Sequence, residues 1–109
     1  MRSPLSHWRL QRFSAILLLF ITIWLVTSIV CIKDNTYDET VMWMNSPLNA
    51  IILIAFFIIS FLHASLGLKV IIEDYISNSV IRNRLIFIIK IFSWILSLLS
   101  IFFIFMIVF

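Results

Sequence analysis

Glycine occurs once in this chain of 109 residues, proline twice and cysteine once, and charged side chains make up only 12% of it. So little glycine and proline leaves no room for flexible linkers or low-complexity stretches. With no internal repeat either, 1–109 is expected to form a single unit. A lone cysteine, Cys31, excludes an intrachain disulfide and offers no zinc-ligand spacing, so it reads as a small apolar residue near a span end. Charge this sparse does not cover a soluble globule. The 63% hydrophobic content and mean hydropathy of +1.17 place the chain in a membrane, and no soluble catalytic domain fits beside the spans. The net charge of +3 is no sign of nucleic acid, because the basic residues stand beside apolar spans and not along a polar helix face.

What is present falls into three uncharged or nearly uncharged runs, predicted as transmembrane helices at about 13–32, 48–68 and 85–109, an all-α integral membrane fold. A run from Phe13 to Ile32 covers about 30 Å as a helix, the thickness of a bilayer core. It is too long for a signal-peptide core and has no small-residue cleavage site before Lys33, so it reads as a retained span. Trp8 fits an interfacial anchor. The stretch 33–45 reads as a loop. Ser46 and Pro47 read as a helix start, with Ser46 as cap and Pro47 in the first turn. The stretch 69–84 reads as a polar connection, although nothing breaks the helix before Tyr75. In the third run Ser93, Ser97 and Ser100 recur at i, i+4 and i+7, a small-residue stripe suited to close helix packing. Lys90 stands about 7 Å inside that run and can snorkel back to the headgroups.

The basic residues predict orientation. Arg2, Arg9, Arg12, Lys69, Arg82, Arg84 and Lys90 cluster on one side, and only Lys33 stands on the other. The positive-inside rule then puts the N-terminus and the second connection inside, and the first connection and the C-terminus outside.

Residues 60–75 are the place where an ionisable ring, the glycine and a pair of acids interrupt hydrocarbon. A histidine inside a span is costly and marks a candidate functional site. His63 lies about 22 Å along its helix from Leu48 and about 8 Å from the inner end. Ser60, His63, Ala64 and Gly67 share one face, and it is small on both sides of the imidazole. That clearance suits a flat macrocycle ligated through a histidine nitrogen, as in haem. It equally suits an imidazole bonded to a neighbouring helix. A low-spin haem takes two strong axial ligands, and His7 precedes the first span, away from the depth of His63. A second ligand would come from another chain, in a hetero-oligomer or a symmetric dimer. Asp74, eleven residues after His63, returns to within about 20° of the same face about 16 Å further on. With Glu73 and Tyr75 it offers acids and a phenol at the inner interface. These suit either a quinone headgroup or plain solvation and an aromatic belt.

The pattern His63-Ala64-x-x-Gly67-x-x-Val70-Ile71-x-Glu73-Asp74-Tyr75 resembles the core motif of the small cytochrome b membrane-anchor subunits of succinate dehydrogenase. His7-Trp8-x-x-Gln11-Arg12-x-Ser14-Ala15 is similar to the motif preceding that family's first helix. The resemblance implies that His63 is an axial ligand of haem b iron, shared with a histidine of a larger cytochrome b anchor subunit. It implies that Tyr75 and Asp74 contribute to a ubiquinone site facing an iron–sulfur subunit, and that Arg12 lies in the haem-propionate and quinone neighbourhood, where a guanidinium suits anionic groups. Ser60, Ala64 and Gly67 would then be the helix packing at the haem. The family setting is respiratory complex II, in a mitochondrial inner membrane or a bacterial cytoplasmic membrane. There the flavoprotein and iron–sulfur subunits carry the dehydrogenase chemistry, and this chain serves as a non-catalytic anchor with lipid around it and no nucleic acid partner. The rival class is a small holin-like pore without cofactor, which also has three spans and a basic inner face. Such a pore needs neither an intramembrane histidine nor an Asp-Tyr pair at a fixed distance from it. A proton-coupled transporter would place a carboxylate inside a span, and none is there.

Overall fold

A computed structural model of the chain describes residues 4–109 as four helices, with no strand among the described residues: α1 (Pro4–Ile32), α2 (Tyr37–Asn45), α3 (Pro47–Tyr75) and α4 (Ser79–Val108). Arg2, one of the basic residues assigned to the inner side, lies outside the described residues. α1, α3 and α4 are each long and apolar enough to cross a membrane. At 29, 29 and 30 residues, each runs to about 45 Å, and the molecule measures 52 × 25 × 21 Å.

The expected spans 13–32, 48–68 and 85–109 each sit inside, or within a residue of, a longer helix. Hydropathy marks the part of a helix that suits hydrocarbon, whereas backbone hydrogen bonding continues until something stops it. Arg9 and Arg12 do not stop α1, nor do Lys69, Glu73 and Asp74 stop α3. The polar connection expected at 69–84 therefore shrinks to residues 76–78. There Asn78 Oδ1 accepts the N–H groups of Val80 and Ile81 at 3.0 and 3.2 Å, an N-cap that starts α4 six residues before the predicted span.

The stretch 33–45 is not all loop, since α2 occupies most of it. Its cause is a capping box: Glu39 N–H donates to Thr36 Oγ1 at 3.3 Å, and Thr36 N–H donates to Glu39 Oε2 at 3.2 Å. Asp38 and Glu39 in the first turn also suit the helix dipole. Trp43 of α2 stacks on Trp24 of α1 with centroids 5.8 Å apart. Ser46 does precede α3, and Pro47 occupies its first turn as predicted, but the Ser46 side chain makes no capping bond. Ser46 also ends α2, donating its own N–H to Trp43 C=O. Asn49 Nδ2 donates to the same carbonyl at 3.0 Å.

α3 is the middle helix, packed extensively against both α1 and α4. The serine stripe forms part of the α3–α4 seam. Ser93 Oγ donates across it to Phe61 C=O at 3.0 Å, while Ser97 and Ser100 donate back to Ser93 C=O and Leu96 C=O on their own helix. Folding the hydroxyls inward keeps that face small and lets the backbones approach. Among the described residues buried apolar side chains are few, namely Leu53, Leu66, Ile72 and Ile104, and most large hydrophobic residues point outward. Apolar exposure on this scale is stable only against lipid or partner chains. Ser97, 7% exposed, is the tightest point of the stripe. Ser97→Leu should destabilise the bundle by about 1–3 kcal/mol in detergent unfolding titrations, with Ser97→Ala close to wild type. Equal stability of the two variants would mean that α4 does not pack through this stripe.

Candidate functional site

His63 faces α1, and its partner there is Ser14. Ser14 is the most enclosed polar residue among the described residues, 2% exposed. Its Oγ lies 2.9 Å from Gln11 C=O, one turn earlier in α1, and 2.9 Å from His63 Nδ1 in α3. A serine hydroxyl has one proton and two lone pairs. With that proton donated to Gln11 C=O, the second contact is a hydrogen bond only if His63 Nδ1 carries a proton and donates it to Oγ. This assigns the imidazole tautomer from the network. In the neutral ring this puts the proton on Nδ1 and the lone pair on Nε2. Nε2 makes no hydrogen bond among the described residues, and it is not enclosed.

Around the ring, Ser60 and Gly67 are half-buried and Ala64 is exposed. A Cβ built on Gly67 would meet Gln11 Nε2 at 3.9 Å and nothing closer, an ordinary contact. The packing of α3 on α1 therefore does not itself require glycine at 67.

Toward the C-terminal end of α3 the sequence-predicted residues are more scattered. α3 stays helical to Tyr75, so Asp74 keeps its helical phase with His63, about 16 Å away along the axis. Asp74 is exposed, Tyr75 is 83% exposed as the last residue of α3, and Glu73 pairs loosely with Lys69 at 3.9 Å. Neither Asp74 nor Tyr75 makes a side-chain hydrogen bond among the described residues. Arg12 is exposed and holds its guanidinium 5.4 Å from the Trp8 ring centroid. Two residues from Ser14 is about 200° around the helix, so Arg12 points away from α3 where Ser14 points toward it. His7, seven residues before Ser14, returns to the Ser14 face about 10 Å nearer the N-terminus, and its Nε2 is enclosed without a partner among the described residues.

The structure thus joins His63 to Ser14 and Gln11, and leaves Arg12, Asp74 and Tyr75 on the outer surface. Two apolar recesses of about 460 and 380 Å³ lie toward the α2 end, lined by residues such as Trp43, Leu53 and Phe103, or Pro47, Ala50 and Phe109. Neither includes His63, Asp74 or Tyr75. Ser14 was visible in the sequence only as a motif position. Its bond to His63 depends on the register between two helices, which a single sequence does not contain.

Comparison with known proteins agrees with this architecture. Residues 1–109 match the family model described as succinate dehydrogenase/fumarate reductase transmembrane subunit. The succinate dehydrogenase hydrophobic membrane anchor subunit of Rickettsia conorii is 38% identical, over 84% of this chain and 73% of its own length. That of Rickettsia felis is 40% identical over 79% and 72%, and the succinate dehydrogenase membrane anchor subunit of Reclinomonas americana is 34% identical over 83% and 78%. No solved structure is a significant match. The match over the full length and the agreement among relatives decide against a holin-like pore. With three membrane-length helices to carry it, this integral membrane chain belongs to the succinate dehydrogenase/fumarate reductase transmembrane-subunit family, as a membrane-anchor subunit of succinate dehydrogenase.

Proposed function

We propose that this anchor holds haem b through His63 Nε2, shares it with a histidine of a larger cytochrome b anchor subunit, and forms part of a ubiquinone site with Tyr75 and Asp74. The observation that carries the reading is the Ser14–His63 bond. It occupies Nδ1 and leaves on Nε2 an unprotonated lone pair, the form in which a neutral imidazole ligates iron. The small surroundings fit as well. Ala64 and Gly67 flank the ring with no bulk, and Ala64 is exposed, which leaves room for a flat group beside the imidazole. Haem b, when bound, supplies a one-electron iron couple whose potential depends on ligation and burial.

This chain's own work is positional. α3 carries His63 in the hydrocarbon and ends at Tyr75, so its exposed phenol and the Asp74 carboxylate meet the interface where a quinone headgroup resides. Tyr75 O–H donates a hydrogen bond to a quinone carbonyl, and Asp74 holds or relays a proton there. Arg12, exposed and pointing away from α3, supplies positive charge for propionates or the quinone neighbourhood from a second side. The basic cluster puts these groups on the cytoplasmic or matrix side, with the N-terminus inside and the C-terminus outside. There the iron–sulfur and flavoprotein subunits dock and carry out the oxidation of succinate, so this chain contributes no dehydrogenase chemistry of its own.

In the assembled complex, His63→Ala should abolish or shift the b-type band of the reduced-minus-oxidised spectrum; an unchanged band excludes His63 as a ligand. Tyr75→Phe should lower quinone reduction about tenfold, the worth of one substrate hydrogen bond, with succinate oxidation by an artificial acceptor intact. Equal rates with both acceptors, relative to wild type, count against the quinone role. Gly67→Leu should reduce haem content in a complex that still assembles, and Gly67→Ala should not. Full haem content in Gly67→Leu removes the clearance argument.

A further inference from the structure

We propose that Ser14 is a positioning residue for His63, fixing both the tautomer and the rotation of the ring so that Nε2 is the nitrogen presented to iron. The inference rests on the reading of His63 as a ligand and adds a residue on a different helix. Three observations carry it. Ser14 is 2% exposed, so its hydroxyl has no water to fall back on. Its Oγ lies 2.9 Å from both Gln11 C=O and His63 Nδ1, and the one assignment that makes both contacts hydrogen bonds gives its proton to Gln11 C=O and leaves it an acceptor toward His63. No other hydrogen-bond partner of the His63 ring exists among the described residues.

Without the Ser14 oxygen, an Nδ1–H in this apolar seam loses its acceptor, and nothing distinguishes one tautomer or ring flip from the other. Partners in this position orient a ligating histidine and raise its basicity, and their loss characteristically weakens metal affinity. The direction for the potential follows. Donation from Nδ1–H leaves the ring slightly more electron-rich, which favours ferric iron. Removing the acceptor favours the ferrous state and raises the midpoint potential. A hydroxyl, unlike a carboxylate, achieves this without placing a formal charge in the hydrocarbon.

The test uses the assembled complex. Ser14→Ala should lower haem affinity, followed by transfer to apomyoglobin, about 10- to 100-fold, and should raise the midpoint potential. Ser14→Thr, which keeps the hydroxyl, should restore both, whereas Ser14→Val, with the shape of threonine and no hydroxyl, should not. Thr and Val variants that behave alike overturn the proposal. So does an Ala variant with wild-type affinity and potential, and in that case loss of the b-type band in His63→Ala leaves the ligand assignment standing. A His63→Ala complex that keeps the band overturns the ligand assignment itself, and this proposal with it. Should the Ser14 variants fail to assemble, 15N-histidine NMR of the reduced low-spin wild-type complex decides. The His63 signal, assigned by its loss in His63→Ala, should show Nδ1 protonated and hydrogen-bonded; an unbonded or deprotonated Nδ1 contradicts the proposal.

Discussion

An imidazole inside hydrocarbon has two nitrogens to satisfy and no water to do it, and the architecture of this chain depends on how that constraint is met. An unsatisfied polar group in such surroundings costs several kcal/mol by transfer scales. Ser14 meets half of the demand, at Nδ1, through a bond that also ties α1 to α3. Nε2 has no protein partner among the described residues, and it is the nitrogen proposed above for iron. One short contact thus bears on helix packing, on tautomer and on the direction in which the ring offers its lone pair.

The rest of the fold serves to hold that contact at a fixed depth and leave its far side open. α3 lies between α1 and α4. On the α4 side a serine stripe makes the seam thin; on the α1 side Ser14 and Gln11 supply polar contacts in an otherwise apolar interface. Very little hydrophobic surface is buried within the chain itself, so the three long helices form a scaffold that lipid and companion subunits complete. A site on the outer face of α3 is consistent with an anchor whose function is shared. The groups proposed for quinone stand on the same helix, which stays regular to Tyr75 and so keeps Asp74 in helical phase with His63.

Much of this was legible in the residues, for identifiable reasons. Long uncharged runs report spans because charge is expensive in hydrocarbon, and all three lie within a residue of the helices found. The continuation of α3 to Tyr75 was also readable, since nothing between Lys69 and Tyr75 breaks a helix. The helix α2 was missed although its signal was present, in Thr36 and Glu39 at capping-box spacing. Nine residues with a polar first turn carry no hydropathy signature, and attention to the capping pair would have found them. Ser46 does stand at the N-cap of α3 as read, but without a side-chain capping bond, and it closes α2 at the same time. The partner of His63 lay beyond reach altogether. Helical phase says which residues share a face of one helix, but the pairing of Ser14 with His63 depends on how two antiparallel helices slide and rotate against each other.

The most direct test of the account is an experimental structure of the assembled, membrane-extracted complex at a resolution that orients the His63 ring. The account predicts iron at bonding distance from His63 Nε2, with Ser14 Oγ still within hydrogen-bond reach of Nδ1 and the second axial ligand contributed by another chain. Iron ligated without His63, or His63 turned so that Nδ1 faces the metal and Nε2 faces Ser14, would contradict it.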